Sequence, residues 1–147
     1  MGIKRKYIII SFVACFIAIA AISYYLYNDE GVNIKTAKAI QADAVLLYDT
    51  FIKDSVAAKK MYAGNILAVS GEVENVSLNQ QQQTVVLLKT NTEGAAVNCT
   101  FENTATNVKQ GNKVIIKGDC TGLGEGDVEL GIPGDVYLIR CYTENQD

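Results

Sequence analysis

Cysteine is the residue of this chain best suited to covalent chemistry, and it occurs at positions 15, 99, 120 and 141. In an oxidising compartment Cys99, Cys120 and Cys141 permit one disulfide and leave one thiol over. Alternation along the neighbouring residues groups Cys99 with Val97 and Phe101, Cys120 with Val114 and Ile116, and Cys141 with Tyr137 and Ile139, so that all three can face one interior. The plainer reading of the same pattern is three small apolar side chains in a core. A thiol enzyme needs a C-x-x-C pair or an exposed thiol of low pKa, and the spacing offers neither. Glu125, Asp127, Glu129 and Asp135 lie in or beside a glycine-rich stretch and supply hard oxygens of the kind Ca²⁺ takes, but their spacing matches no calcium-loop pattern. The chain has no His, which removes His-ligated metal sites and every catalytic constellation built on imidazole. No carboxylate pair sits in a setting that raises a pKa, and no glycine loop cradles a phosphate before a helix. A non-catalytic protein with no cofactor is the expectation.

The elements that position these residues change character along the chain. Asp43 reads as an N-cap, because Leu47, Tyr48, Phe51 and Ile52 follow at helical spacing. Asp54 and Ser55 cap a second short turn that ends before Gly64. The apolar stripe of the first helix fits packing against a sheet. From Asn65 the period becomes two, with strands expected over residues 66–76, 84–89, 95–101, 113–118 and 135–142. Gly71 inside the first strand reads as a bulge that bends it round a barrel. Residues 79–83 form a short polar turn and residues 122–134 a long glycine-rich connection. Five short strands are too few for a sandwich; they fit the five-stranded, mainly β OB-fold Greek-key barrel, preceded by a short helix.

The first 27 residues are of another kind. Tyr7–Tyr27 carries no charged side chain and makes about 31 Å of helix, against ~30 Å of bilayer hydrocarbon. Lys4, Arg5 and Lys6 precede it and Asp29 and Glu30 follow it, so the positive-inside rule puts the N-terminus in the cytoplasm. Tyr7, Tyr24, Tyr25 and Tyr27 stand where an aromatic belt would. Ala18-Ile19-Ala20 resembles a cleavage site, but the apolar run continues past it, and Cys15 lies too deep in the run to be a lipoprotein cysteine. The expected organisation is an anchor over residues 1–27, a stalk over 28–42 and a barrel over 43–147. The lipid bilayer is then a partner through residues 7–27 of a single-pass inner-membrane protein, with its C-terminal domain periplasmic or otherwise extracytoplasmic. Without residues 1–27 the chain keeps ten Lys and Arg against sixteen Asp and Glu, a balance that repels polyphosphate.

Five segments together resemble the tRNA_anti-like family: AAKKMYAG at residues 57–64, VSGEV at 69–73, VNCTF at 97–101, GNKVIIKGDCTG at 111–122 and DVYLIRC at 135–141. The three cysteines are the specific part of the match, which covers residues 43–142. In that family the Cys-Thr-Gly and Asp-Val segments are joined by a few residues, whereas here the connection is longer. The resemblance implies an OB-fold on a bacterial membrane-anchored or lipoprotein-like chain of uncharacterised function. In an OB barrel the third and fifth strands are parallel neighbours, which favours Cys99 and Cys141 as the bridged pair. OB geometry points to the two loops as the binding edge, hence to Gln81, Gln82, Gly124, Glu125, Asp127 and Glu129. The expected function is an extracytoplasmic binding or interaction module for an envelope protein or small ligand. The alternatives are single-stranded nucleic-acid binding, disfavoured by acidity and by Phe101 as the only aromatic of the middle strands, and an envelope thiol protein.

Overall fold

The computed structural model describes residues 2–27, 33–104 and 107–144, in two compact units that divide after Asn33. The first unit is one helix, α1 (Gly2–Tyr27). Its Tyr7–Tyr27 stretch has a mean hydropathy of 2.3, and its side chains are exposed on every side. A helix of this length and composition fits a membrane span or a signal sequence.

The second unit begins at Ile34, which is buried. The segment read as a stalk over residues 28–42 ends in sheet: β1 (Ile40–Asp43) pairs in parallel with β2 (Ile66–Leu78), matching Ile40 to Leu67 and Asp43 to Ser70. Residues 28–32 lie outside the described part. Asp43 caps α2 (Ala44–Lys53), its Oδ1 accepting from Val45 N at 3.0 Å and Leu46 N at 3.2 Å. Asp54 ends that helix and caps α3 (Ser55–Tyr62), accepting from Ala57 N at 3.0 Å. Leu47, Tyr48 and Phe51 are buried against the barrel, but Ile52 is 58% exposed. At about 100° per residue it stands roughly a quarter turn from the middle of the stripe formed by the other three.

Five strands close into a barrel: β2 (Ile66–Leu78), β3 (Thr84–Lys89), β4 (Ala96–Phe101), β5 (Lys113–Leu123) and β6 (Val136–Thr143), in the order β2-β3-β4-β6-β5 with β5 returning to β2. β4 and β6 run parallel, and the other neighbours in the ring are antiparallel. Within the ring β2 serves two partners, pairing with β5 over Ile66 to Glu72 and with β3 over Val73 to Leu78, while β1 lies on its other edge beside the β5 pairing. The bend falls past Gly71, where the register slips between Val73 and Asn75. Gly71 itself answers a packing need, since a Cβ there would lie 3.0 Å from Ala44 Cβ and 3.3 Å from Leu88 Cβ, where α2 seats on the barrel. β5 does not stop at Gly118 as the sequence suggests. It continues to Leu123, with its first half on β2 and its second on β6.

On β6 the alternation differs from the expected one. Val136 and Leu138 are buried, while Tyr137 and Ile139 are each 40% exposed. Arg140 adopts φ +53°, the register slips on both flanks of the strand, and the phase inverts so that Cys141 returns to the interior. Cys141 therefore shares the core with Leu138 and not with Tyr137 and Ile139.

Candidate functional site

The connection between β5 and β6 is a built structure. Gly124 N donates to Asp135 O at 2.8 Å, and Asp127 and Ile132 exchange two backbone hydrogen bonds of 2.8 Å each, making a small hairpin. Asp127 Oδ1 accepts from Leu130 N at 3.0 Å and holds the tip, and Gly131 turns the chain at φ +66°. The base is tight because glycines form it: a Cβ on Gly134 would fall 2.0 Å from Gly124 O. Two anchors tie that base to the barrel. The Tyr48 hydroxyl on α2 donates to Gly134 O at 3.1 Å, and Ala96 N at the start of β4 donates to Asp135 Oδ1 at 2.9 Å. Burial, with the Asp135 charge adding to it, raises the Tyr48 pKa and keeps the phenol a donor.

Three apolar side chains project from this hairpin. Val128 is 94% exposed, Leu130 71% and Ile132 52%. Glu125, Asp127 and Glu129 are exposed beside them. The sequence reading picked out the carboxylates and missed the apolar tip, although Val128, Leu130 and Ile132 alternate with Glu129 and Gly131 at strand spacing. Asp127 is committed to the turn and Asp135 to the base, and among the described residues no group of three His, Cys, Asp or Glu converges on a cation site.

Gln81 and Gln82 occupy the β2–β3 turn and are exposed. Asn79 builds that turn, its Oδ1 accepting from Gln81 N at 3.0 Å and Gln83 N at 2.9 Å, while Gln82 takes φ +62°. The two loops do not come together. Gln81 and Gln82 precede β3, whereas the hairpin leads into β6 beside the start of β4 and packs Pro133 against Gly94 past the far end of β3, a strand of about 17 Å. Gly124, Glu125, Asp127 and Glu129 share the hairpin end. Between the loops lies the outer face of β3, β4 and β6, where the registers align Leu87, Asn98 and Tyr137, with Val85 and Thr100 alongside. The Tyr137 ring covers Gly124, whose absent Cβ would lie 2.5 Å from Tyr137 Cε2. Two cations beside this face are ion-paired, Lys89 with Glu72 and Arg140 with Asp119 at 3.0 Å.

Two surface grooves lie elsewhere. One, of about 460 Å³, has Phe101, Val108 and Cys141 at its base with Lys117 and Tyr142 on its walls; another, of about 480 Å³, lies between Asp43, Ser70, Glu72 and Lys113. Neither takes a lining residue from the β2–β3 turn or the hairpin.

Cys99, Cys120 and Cys141 are buried thiols. Cys99 and Cys141 lie on the adjacent parallel strands β4 and β6 with both side chains in the core, and the Cys99 thiol reaches Val97 O at 3.8 Å. Burial pushes the Cys120 thiol up to about 11, and burial together with the Cys99 contact holds Cys141 well above its ordinary value. Groups so held are poor nucleophiles in the folded barrel.

No curated protein matches this chain in sequence. The tRNA_anti-like family model matches residues 1–130, which takes in the apolar helix, both capped helices and the barrel as far as the hairpin tip. A match of that extent, on a closed OB barrel, makes this chain a member of the tRNA_anti-like family.

Proposed function

We propose that this protein is a non-catalytic docking module, held in the inner membrane by α1 with its N-terminus in the cytoplasm, whose barrel engages a protein partner in the periplasm or its equivalent. The observation that carries the reading is the β5–β6 hairpin. A short, firmly anchored element holds Val128, Leu130 and Ile132 in water, although nothing in the barrel's own packing uses them. Glu125, Asp127 and Glu129 flank that tip, so the complementary surface is an apolar pocket edged by Lys or Arg. The same features favour a protein over single-stranded nucleic acid. Tyr137 is the aromatic side chain on the outer face aligned above, the nearby Lys89 and Arg140 are ion-paired, and the net charge is negative. The orientation rests on Lys4, Arg5 and Lys6 before the apolar stretch and Asp29 and Glu30 after it.

The test is a pull-down from envelope extract with the full chain in detergent, wild type against Val128→Asp with Leu130→Asp. Partners held by the wild type are expected to be lost by the double variant. An unchanged set of partners would sink the reading, as would salt-sensitive anisotropy with a labelled oligonucleotide that the variant retains.

A further inference from the structure

We propose that Cys99 and Cys141 are joined by a disulfide that fastens the parallel β4–β6 seam of the barrel as the chain folds outside the cytoplasm, leaving Cys120 as a buried free thiol. The proposal rests on the extracytoplasmic reading above. The seam is the place in the ring where such a fastening is most useful. β4–β6 is its parallel pair, a geometry slightly weaker per residue, and its register is broken between Cys99 and Phe101.

Local features on three strands converge on the position of one sulfur. Arg140, a residue with a Cβ, is held at φ +53°, and this turn brings Cys141 back into the core. Across the seam Cys99 faces the same core, and on β5 Gly118 has no side chain, where a Cβ would lie 2.6 Å from Cys141 Sγ.

The registers also exclude one of the possible pairs. Cys99 and Cys120 are both aligned with Leu138, one from each side of β6, so a whole strand separates them. Two inter-strand spacings come to about 9.6 Å, beyond the roughly 7 Å over which two Cα atoms can be bridged. Cys141 lies on a strand next to each of them, one inward-facing position along from the register partner of each, and of the two it is Cys99 that acts on its thiol.

Burial dictates when the bond forms. The Cys141 thiol, held protonated inside the barrel, does not attack, and Cys99 is closed off from any oxidant by burial, so oxidation belongs to the chain before closure. The oxidant is a protein or small-molecule disulfide. One cysteine thiolate attacks it, giving a mixed disulfide and releasing one thiol; the second cysteine thiolate then displaces the other. The two cysteines lose two electrons and two protons, and the oxidant becomes two thiols. A bond made in this order is structural and does not switch.

The full chain, isolated from membranes with a thiol-blocking reagent present from lysis onward, is denatured in SDS and its blocked sulfurs are counted by mass before and after reduction. Two blocked thiols are expected before reduction, Cys15 and Cys120, and all four cysteines are available after it. Peptide mapping should link residue 99 to residue 141. Four thiols before reduction, or a link through Cys120, would overturn the proposal if a C-terminal topology reporter places the barrel outside. If the reporter places it in the cytoplasm, the orientation has failed instead. The denatured, reduced chain refolded in a glutathione redox buffer then decides the pairing by itself, with the 99–141 link expected and its absence fatal. Cys120→Ser should keep the bridge, and reduction should lower the melting temperature of the bridged chain by roughly 10 °C.

Discussion

At the scale of single residues, Gly118 and Cys141 share one volume. A methyl group on Gly118 would meet the Cys141 sulfur at 2.6 Å, so Gly118→Ala is expected to cost about 1 to 3 kcal/mol through overpacking. Thermal melting of the full chain in detergent under reducing conditions, where no bridge contributes, measures this, and adding Cys141→Ala should recover most of the loss because it vacates the contested space. Equal losses in the single and double variants would contradict the shared volume. Cys120 makes a prediction of opposite character, about pH. Its folded pKa lies above its ordinary value of 9.0, at about 11, so the folded form keeps a proton that the unfolded chain releases. Its contribution is complete below pH 9 and drains away between pH 9 and 11, amounting to roughly 3 kcal/mol. Melting temperature against pH should fall more steeply over that range for the wild type than for Cys120→Ser. Parallel curves would show that Cys120 is not the group that titrates. Inward placement of Cys99 and Cys120 was legible from strand parity. That of Cys141 was legible only by accident, since a positive φ at Arg140 has no signal in a residue type that rarely adopts it.

At the scale of elements, the helices were the most readable part. Asp43 and Asp54 each carry a side-chain oxygen to orphan amides at a helix start, and such caps are written in single residues. Asp43→Ala is expected to cost about 1 kcal/mol, measured by the same melts. Strand ends were harder to read. Gly118 looked like a terminus because nothing in the sequence shows that a sulfur from β6 fills its missing side chain. The hairpin went unrecognised for a similar reason. Its alternation covers only Val128 to Ile132, too short to stand out among glycines, and the donors that anchor it come from Tyr48 and Ala96, far away in sequence. Tyr48→Phe removes one of those donors. It is expected to cost about 1 kcal/mol and to speed amide exchange at Gly124 and Asp127 while leaving Val86 in β3 unchanged. Uniform acceleration across both regions would mean that Tyr48 supports the whole barrel and not the hairpin base.

At the scale of the molecule, the chain combines two units with opposite surfaces. Tyr7–Tyr27 of α1 exposes apolar side chains all round, as a membrane span or a signal sequence does, while the barrel buries its apolar residues and the chain beyond residue 27 has an acidic charge balance. The barrel topology followed from strand count and turn positions, and the parallel β4–β6 pair followed from the topology. Which face is used did not follow, because the two loops chosen from the sequence lie at opposite ends of β3 and only one of them presents apolar side chains to solvent. The most direct measurement of the central claim is photo-crosslinking in intact cells from a reactive residue placed at position 130, compared with the same residue at position 82. A discrete protein adduct from position 130, absent from position 82 and lost with Val128→Asp, is the result this account predicts. Adducts of equal yield from both positions, or none from position 130, would contradict it.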